Sequence, residues 1–541
     1  MKAIKRGDKI EISFPYDERL IALARSFIGR EYSPSTKTWF IPLVGAGYAV
    51  EKLRRWQFQI DPAVDKAVED EDKLTVEAEA LAVMDDTEFE TPLPLFPFQK
   101  VGSAFLYKIG SGLLGDEMGL GKTVQALAVA EKVKAEKILI FCPASVKWQW
   151  AQEIEKFLGK QDTRVVEGGK LRRWDIWKED HRFYIANYEL LLRDFDLMNV
   201  REWDLIVVDE ATKISNPRAR QSKLVKKLRG KRRIAMTGTP VSNRAQEVWN
   251  VVDFCVPGAM GKYWDFQNRY CLKNQWGGIY GYTNMDELQQ KLKRYMIRRK
   301  KIDVLPELPE KISTDIPFEL SDKEMSLYKN IKKEILFEIN KTDINKIERP
   351  MTIQFTLVKM LRLRQLTDSM ELLGESQKSS KLDVLRELLS EALTNGKKAI
   401  VFTQFAEMAD ILERKLAEWR PLKISGKIQE EYKDVVARFN EVEEQKVLIM
   451  TSAGQFGLNI QRASVIFHYD QEWSLAKMQQ REGRAHRIGQ KDTVMIYNLL
   501  AKGTIDYYVK KVLHGKAELS NQVLGDIPMN MEDIKQILNY E

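Results

Sequence analysis

"GDEMGLGKTVQA", residues 115–126, crowds three glycines, a lysine and a threonine into one short turn. A short apolar stretch precedes it, and a run with helical spacing, "VQALAVAEKV" (124–133), follows. Strand, loop, helix is the context that a phosphate-binding loop requires. Backbone N–H groups of Gly119, Leu120 and Gly121 would form an anion nest at the helix N-terminus. Lys122 would reach the outer phosphates of a nucleotide, and the Thr123 hydroxyl would hold Mg2+. Asp116 stands where the pattern G-x-x-x-x-G-K-[ST] has its first glycine.

A second stretch supplies the matching half. "WDLIVVDEA" (203–211) is an apolar strand run ending in Asp209–Glu210. Ligands of open α/β sheets bind at the carboxyl ends of strands, so these carboxylates are expected beside the phosphate loop. Asp209 would hold Mg2+ through a water, and Glu210 would orient and deprotonate the attacking water.

Outward from these two stretches, apolar strand runs alternate with longer helical patterns. "KILIFCPAS", "FYIANYE" and "RRIAMTGTP" lie in the first half, and "KAIVFTQF", "QKVLIMTS", "SVIFHYD" and "TVMIYNLL" in the second. Short, fully apolar strands between helices predict parallel sheets buried on both faces. Between the two sets, residues 313–395 are charged and helical in spacing, with "SDKEMSLYKNIKKEILFEI" the clearest amphipathic case. Residues 1–60 predict a small module, with strands in "DKIEISFPY" and "KTWFIPL" and a helix in "DERLIALARSFI". The fold class is α/β: two parallel-sheet lobes with helical insertions, plus a small N-terminal α+β module.

The 541 residues suffice for several domains. Three cysteines, Cys142, Cys255 and Cys271, lack ligand-like spacing and speak against a disulfide framework or a zinc site. No apolar signal core opens the chain and no 18-residue apolar run occurs, so an intracellular, cytoplasmic protein with no membrane partner is expected. The net charge is +8, but residues 61–90 carry −10 and the rest +18. A basic body suits a polyanion such as nucleic acid, and it also suits a solvated basic surface. The acidic stretch reads as a linker, or as a helix with a solvated acidic face.

In "QQREGRAHRIGQ" (479–490), Arg484 and Arg487 lie three apart and on a helix would share a face. Two such arginines suit an anion, and a γ-phosphate is one whose transition-state charge an arginine stabilises.

With these motifs in order, the chain resembles the Swi/Snf-type DNA translocases of helicase superfamily two, from about residue 91 to 515. "LFPFQKVG" with Gln99 resembles the adenine-reading motif, and "DEMGLGKT" resembles that family's own phosphate loop, in which the first glycine is replaced. "CPASVKWQW", "ANYELL", "DEAT" and "TGTPVSN" resemble motifs Ia, Ib, II and III. "RYMIRRKKIDVLPELPEK" is similar to the segment that closes the first half. "VFTQF", "TSAGQFGLNIQRAS" and "QREGRAHRIGQ" resemble motifs IV, V and VI, and "YDQEW" resembles the segment just before VI. Thr212, Gln455 and Ser474 depart from the family's usual His, Gly and Asn.

The resemblance implies two RecA-like lobes that bind ATP with Mg2+ and hydrolyse it on lobe closure. Gln99, Asp116, Gly119, Leu120, Gly121, Lys122, Thr123 and Gly457 would contact the nucleotide, Thr123 and Asp209 the metal. Lys122, Glu210, Arg484 and Arg487 would be catalytic. DNA phosphates would meet Ser145, Lys147, Asn187 and Thr239 in the first lobe, and Gln404, Thr451, Ser452 and Asn459 in the second. Double-stranded or branched DNA is the implied partner, and the chain is expected to act as a monomer. Movement along a duplex without strand separation is implied, to remodel branched or protein-bound DNA; a strand-separating DNA or RNA helicase is the alternative. "FPYDERLIALARSFIGREYSPSTKTWFIPL" (14–43) resembles the HARP module of annealing helicases. Arg30 and Lys37 would then meet DNA, while a small domain capping the first lobe is the other reading. The expected boundaries are 1–60 for the module, 61–90 for the acidic linker and 91–312 for the first lobe. A helical protrusion at 313–375, the second lobe at 376–515 and a tail at 516–541 complete them.

Overall fold

The computed structural model describes residues 1–511 except 8, 28–29, 44–45, 241–244, 275–277, 342–359, 376–378, 427–429 and 452–457. The chain divides into two compact units that meet in sequence between Val304 and Leu305.

The first unit opens with a five-stranded sheet of β1 (Lys2–Arg6), β2 (Lys9–Ser13), β3 (Glu31–Ser33), β4 (Thr38–Pro42) and β5 (Gln59–Ile60). Its order is β3-β4-β2-β1-β5, antiparallel except for β1 with β5. Ile10, Ile12 and Ile41 bury one face against the helix Glu18–Ser26, through Leu20 and Leu23, and the helix Gly47–Arg55, through Val50 and Leu53. The strands in "DKIEISFPY" and "KTWFIPL" and the first helix are where the sequence places them.

The acidic stretch is largely a helix, Pro62–Ala82, and not an extended linker. The Asp61 side chain accepts from the Ala63 amide at its N-terminus, and proline occupies the first turn, where its missing N–H costs nothing. Val64 joins the module core and Ala78 is buried. Glu77 pairs with Lys108 of the helix Pro97–Ile109 at 2.7 Å. The helical alternative, with an exposed acidic face, is the one realised.

The large sheet of the first unit contains β6 (Gly112–Leu114), β7 (Ile138–Cys142), β8 (Thr163–Val165), β9 (Phe183–Asn187), β10 (Glu202–Asp209) and β11 (Arg229–Met236). A two-stranded hairpin, β12 (Cys271–Lys273) with β13 (Ile279–Tyr282), stands apart, and β14 (Met296–Ile297) returns to the large sheet. The order is β14-β6-β11-β10-β7-β9-β8, with every pair parallel. All five residues of β7 are buried, as a strand covered on both faces demands.

The second unit holds a six-stranded sheet: β15 (Lys311–Phe318), β16 (Ala399–Phe402), β17 (Leu422–Ile424), β18 (Val447–Met450), β19 (Val465–His468) and β20 (Val494–Ala501). Its order is β15-β20-β19-β16-β18-β17, again parallel throughout. Residues 313–318 are therefore the edge strand of this sheet and not the start of a helical region. The amphipathic run does form a helix, Asp322–Lys341. Two parallel sheets flanked by helices confirm the α/β class.

Candidate nucleotide site

Register assembles the first half of the site. Leu114 of β6 pairs with Met236 of β11, and Met236 pairs with Asp209 of β10. Three strands thus end level, and the phosphate loop, Thr237 and Asp209–Glu210 leave from one edge. Farther along this edge, Val208 pairs with Phe141 of β7, and Cys142 pairs with Asn187 of β9. The nucleotide candidates gather at one end of the edge, with Ser145 and Asn187 toward the other.

The phosphate loop turns into the helix Lys122–Lys132 at Gly121, whose φ of +72° only glycine adopts without strain. A Cβ on Gly121 would also collide with the Gln99 amide nitrogen. The helix has no side-chain cap, which leaves its N-terminus to an anion. Lys122 Nζ donates to the carbonyls of Asp116 at 2.8 Å and Glu117 at 3.3 Å. Burial pulls the Lys122 pKa down, while Glu210, Asp116, Asp209 and Glu117 hold it up. The Leu120 amide bonds back to the Glu117 carbonyl at 3.3 Å.

Asp209 and Glu210 are held differently. Trp150 Nε1 donates to Asp209 Oδ2 at 2.9 Å, the Glu210 amide donates to Oδ1 at 3.0 Å, and the Tyr188 hydroxyl donates to the Asp209 carbonyl. Burial pushes the Asp209 carboxyl up, against Trp150, Lys122 and the Glu210 amide. Glu210 sits at φ +53°, ψ +56°, a left-handed backbone that costs a non-glycine residue about 1–3 kcal/mol. Strain of this kind persists where the aim of a side chain matters. Trp150, the last residue of the motif Ia stretch, was not singled out for a role of its own in the sequence; a tryptophan on the buried face of a helix reads as core.

Several predicted contacts have other work. Asp116 is fully buried and ion-paired to Arg299, so its carboxylate does not face a ligand. Gln99 is buried, taking the Phe96 amide at 3.0 Å and donating to the Leu120 carbonyl at 3.1 Å, which ties it to the loop. Lys147 is buried, its Nζ on the Val166 carbonyl at 3.2 Å. Arg30 pairs with Asp265 of the helix Tyr263–Tyr270 at 3.2 Å, which docks the N-terminal module on the rest of the unit. Lys37 remains exposed at a turn beside the ring pair Tyr32–Trp39, whose centroids are 5.0 Å apart with the planes tilted by 47°. Asn187 Nδ2 donates to Glu189 Oε2 at 2.5 Å, and Ser145 and Thr239 are half-buried.

In the second unit, Phe402 of β16 pairs with both Met450 of β18 and His468 of β19, so Thr403–Gln404, Thr451 and Asp470 leave a common edge. Asp470 organises it. Its carboxylate accepts from Thr403 Oγ1 at 2.5 Å and from the Gln404 amide at 2.9 Å, and Arg481 Nη1 donates to its carbonyl at 2.9 Å. Arg481 also reaches Glu472 at 3.1 Å. Gln404 Nε2 donates to the Gln471 carbonyl at 3.3 Å, Thr451 is buried, and Asn459 is exposed. The helix Leu475–Glu482, with Ser474 at its N-cap, ends at Gly483. Arg484 and Arg487 therefore lie on the turns after the helix and do not share a helical face. Arg484 is buried with Nη1 on the Leu458 carbonyl at 3.2 Å, and Arg487 is half-exposed. Ser452 and Gly457 lie outside the described residues.

A family model described as the SNF2-related domain matches residues 53–372, and the helicase conserved C-terminal domain matches 380–489. The chain belongs to the SNF2-related family. It is 31% identical over 424 residues to a Mycoplasma genitalium protein named as an ATP-dependent helicase, covering 76% of this chain and 40% of that protein. It is 30% identical over 455 residues to YwqA of Bacillus subtilis, whose name places it among ATP-dependent helicases or translocases, covering 80% of this chain and 49% of that one. The chain spans two fifths to one half of the length of these relatives. Among solved structures, the Sulfolobus solfataricus SWI2/SNF2 ATPase core in complex with double-stranded DNA is 30% identical, with a TM-score of 0.41 over 84% of this chain and all of that one. No helix among the described residues is long and apolar enough to cross a membrane.

Proposed function

We propose that the protein is a DNA-dependent ATP hydrolase that moves along double-stranded DNA. The observation that carries this reading is the level edge of β6, β11 and β10, where an uncapped helix N-terminus, Lys122 and the Asp209–Glu210 pair converge.

The donor set fits a nucleotide with Mg2+. Glycine backbone and a half-buried ammonium suit phosphate; the Thr123 hydroxyl and the Asp209 carboxylate suit a hard cation. Bound there, Mg2+ would neutralise phosphate charge. Lys122 exchanges its two loop carbonyls for phosphate oxygens. Glu210, aimed by its left-handed backbone, takes the proton from the attacking water. The family resemblance assigns Arg484 and Arg487 to the transition-state charge, and Arg487 is the more exposed of the two.

DNA is supported by charge as well as by family. Residues 218–233 hold nine Arg or Lys and no Asp or Glu, and Arg220, Lys223 and Lys227 are exposed. Ser145, Asn187, Thr239, Gln404 and Asn459, on edge loops of the two sheets, are the proposed phosphate contacts. Lys147 and Thr451 are buried and leave that set. Lys37 beside Tyr32 and Trp39 supports a branched-DNA role for the N-terminal module, whereas the Arg30–Asp265 pair supports a cap.

Displacement of a third strand from a triplex, scored beside unwinding of a plain duplex, tests the reading. ATP-dependent triplex displacement with an intact duplex supports it. Unwinding of DNA or RNA duplexes at the rate of triplex displacement favours a strand-separating helicase.

A further inference from the structure

The carboxylate that replaces the loop's first glycine is not solvated. Asp116 is fully buried, and its partner comes from 183 residues away. Arg299 Nε donates to Asp116 Oδ1 at 2.9 Å and Nη2 donates to Oδ2, a two-pronged contact. The same guanidinium donates through Nη1 to the Phe98 carbonyl, one residue before Gln99, and through Nη2 to Gln125 Oε1 at 2.9 Å. Gln125 Nε2 returns to Asp116 Oδ2 at 3.1 Å and reaches the carbonyls of Leu120 and Gly121, each at 3.4 Å. Arg299 is thereby tied to the entry of the phosphate loop, to its tip and to the Gln99 turn.

The backbone runs along with it. The Gly115 amide bonds to the Ile297 carbonyl at 2.8 Å, Glu117 to the Arg299 carbonyl at 2.9 Å, and the Lys301 amide to Glu117 Oε2 at 2.9 Å. The packing admits no slack: a Cβ on Gly102 would overlap both the Gln125 amide and the Arg299 guanidinium. A bare carboxylate at the mouth of an anion-binding loop would oppose phosphate. Here the charge is paired with Arg299, and both oxygens are taken by Arg299 and Gln125.

We propose that Arg299 is a positioning residue of the nucleotide site, holding the phosphate loop through Asp116 and Gln125. This inference rests on the nucleotide site proposed above. It makes the loop's geometry depend on residues 295–301, the last stretch before the chain passes into the second unit.

The test uses the full chain. R299Q leaves the Asp116 carboxylate unpaired; it is expected to raise KM for ATP about tenfold or more, the worth of one charged hydrogen bond. Duplex affinity without nucleotide is expected to stay at the wild-type value. D116G/R299Q, which removes the carboxylate and restores the usual glycine, is expected to recover KM to within about threefold of wild type. A merely structural role for Arg299 would give no such recovery. A folded R299Q with wild-type KM, or a double variant no better than the single, overturns the proposal. Hydrogen exchange on the wild-type protein covers the case in which R299Q does not fold. ADP is expected to slow exchange in 295–301 together with 113–121, and protection of 113–121 alone overturns the proposal. A wild-type chain that binds no nucleotide would overturn both this inference and the site on which it rests.

Discussion

Trp150→Phe isolates one contact in the nucleotide site. Trp150 is 3% exposed, and its indole N–H donates to Asp209 Oδ2 at 2.9 Å. Phenylalanine keeps most of the ring, so lost packing is on the order of 1–2 kcal/mol and the fold is expected to survive. The missing donor matters more. A hydrogen bond to a charged group contributes about 1.5–3 kcal/mol, and 1.36 kcal/mol is one pKa unit. The bond favours the ionised carboxylate, and burial already pushes Asp209 up. Its removal therefore pushes the Asp209 carboxyl further up. The ionised carboxylate is the form that suits a cation, so the acid limb of the hydrolysis profile moves up and activity returns at higher pH. Initial rates from about pH 5 to about pH 9, at saturating ATP, Mg2+ and duplex DNA, read this directly. A folded variant whose acid limb stays within about 0.3 unit of wild type would refute the role given to the Trp150–Asp209 bond.

Glu210→Gln keeps size and loses the base; it is expected to bind ATP and DNA while hydrolysis falls ~10²–10⁴-fold, by single-turnover rates beside nucleotide affinity. Arg487→Ala is expected to lower kcat by ~10³–10⁵-fold with nucleotide affinity nearly intact, because its charge acts in the transition state; parallel losses in affinity and rate would make it a ground-state contact. Acid is expected to destabilise the second unit through His468, whose pKa burial pulls below 6.5. Its neutral form is favoured in the fold, so that contribution is present above about pH 6.5 and is lost as pH falls below it. Melting temperatures taken from neutral pH downward check this, and H468Q is expected to flatten the decline.

The two sheets were legible because their strands are buried on both faces and so are continuously apolar, as in "ILIFC" at 138–142 and "VLIM" at 447–450. The edge strand Lys311–Phe318 was not. Its residues are mostly exposed and polar, with a proline near its end, and only pairing with β20 makes it a strand. The phosphate loop and Asp209–Glu210 were legible because each is a local pattern. Arg299 with Asp116 was not, because an ion pair across 183 residues leaves no spacing in a sequence; Arg481 with Asp470 and Glu472 was not, because only the turn from β19 into the following helix brings them together. Lys147 shows the opposite error, since a lysine opening the tryptophan-rich run "KWQW" reads as exposed until its ammonium is seen on the Val166 carbonyl. The helical face assigned to Arg484 and Arg487 failed because the helix ends at Glu482, capped by Gly483, before either arginine.

The central claim is tested most directly by the steady-state ATPase rate of the full chain without nucleic acid and with duplex DNA, single-stranded DNA, forked DNA or RNA. The account predicts a low basal rate and strong stimulation by duplex and forked DNA, weakening as salt rises because phosphate contacts release counterions. A rate indifferent to nucleic acid, or one stimulated by RNA and not by duplex DNA, would contradict it.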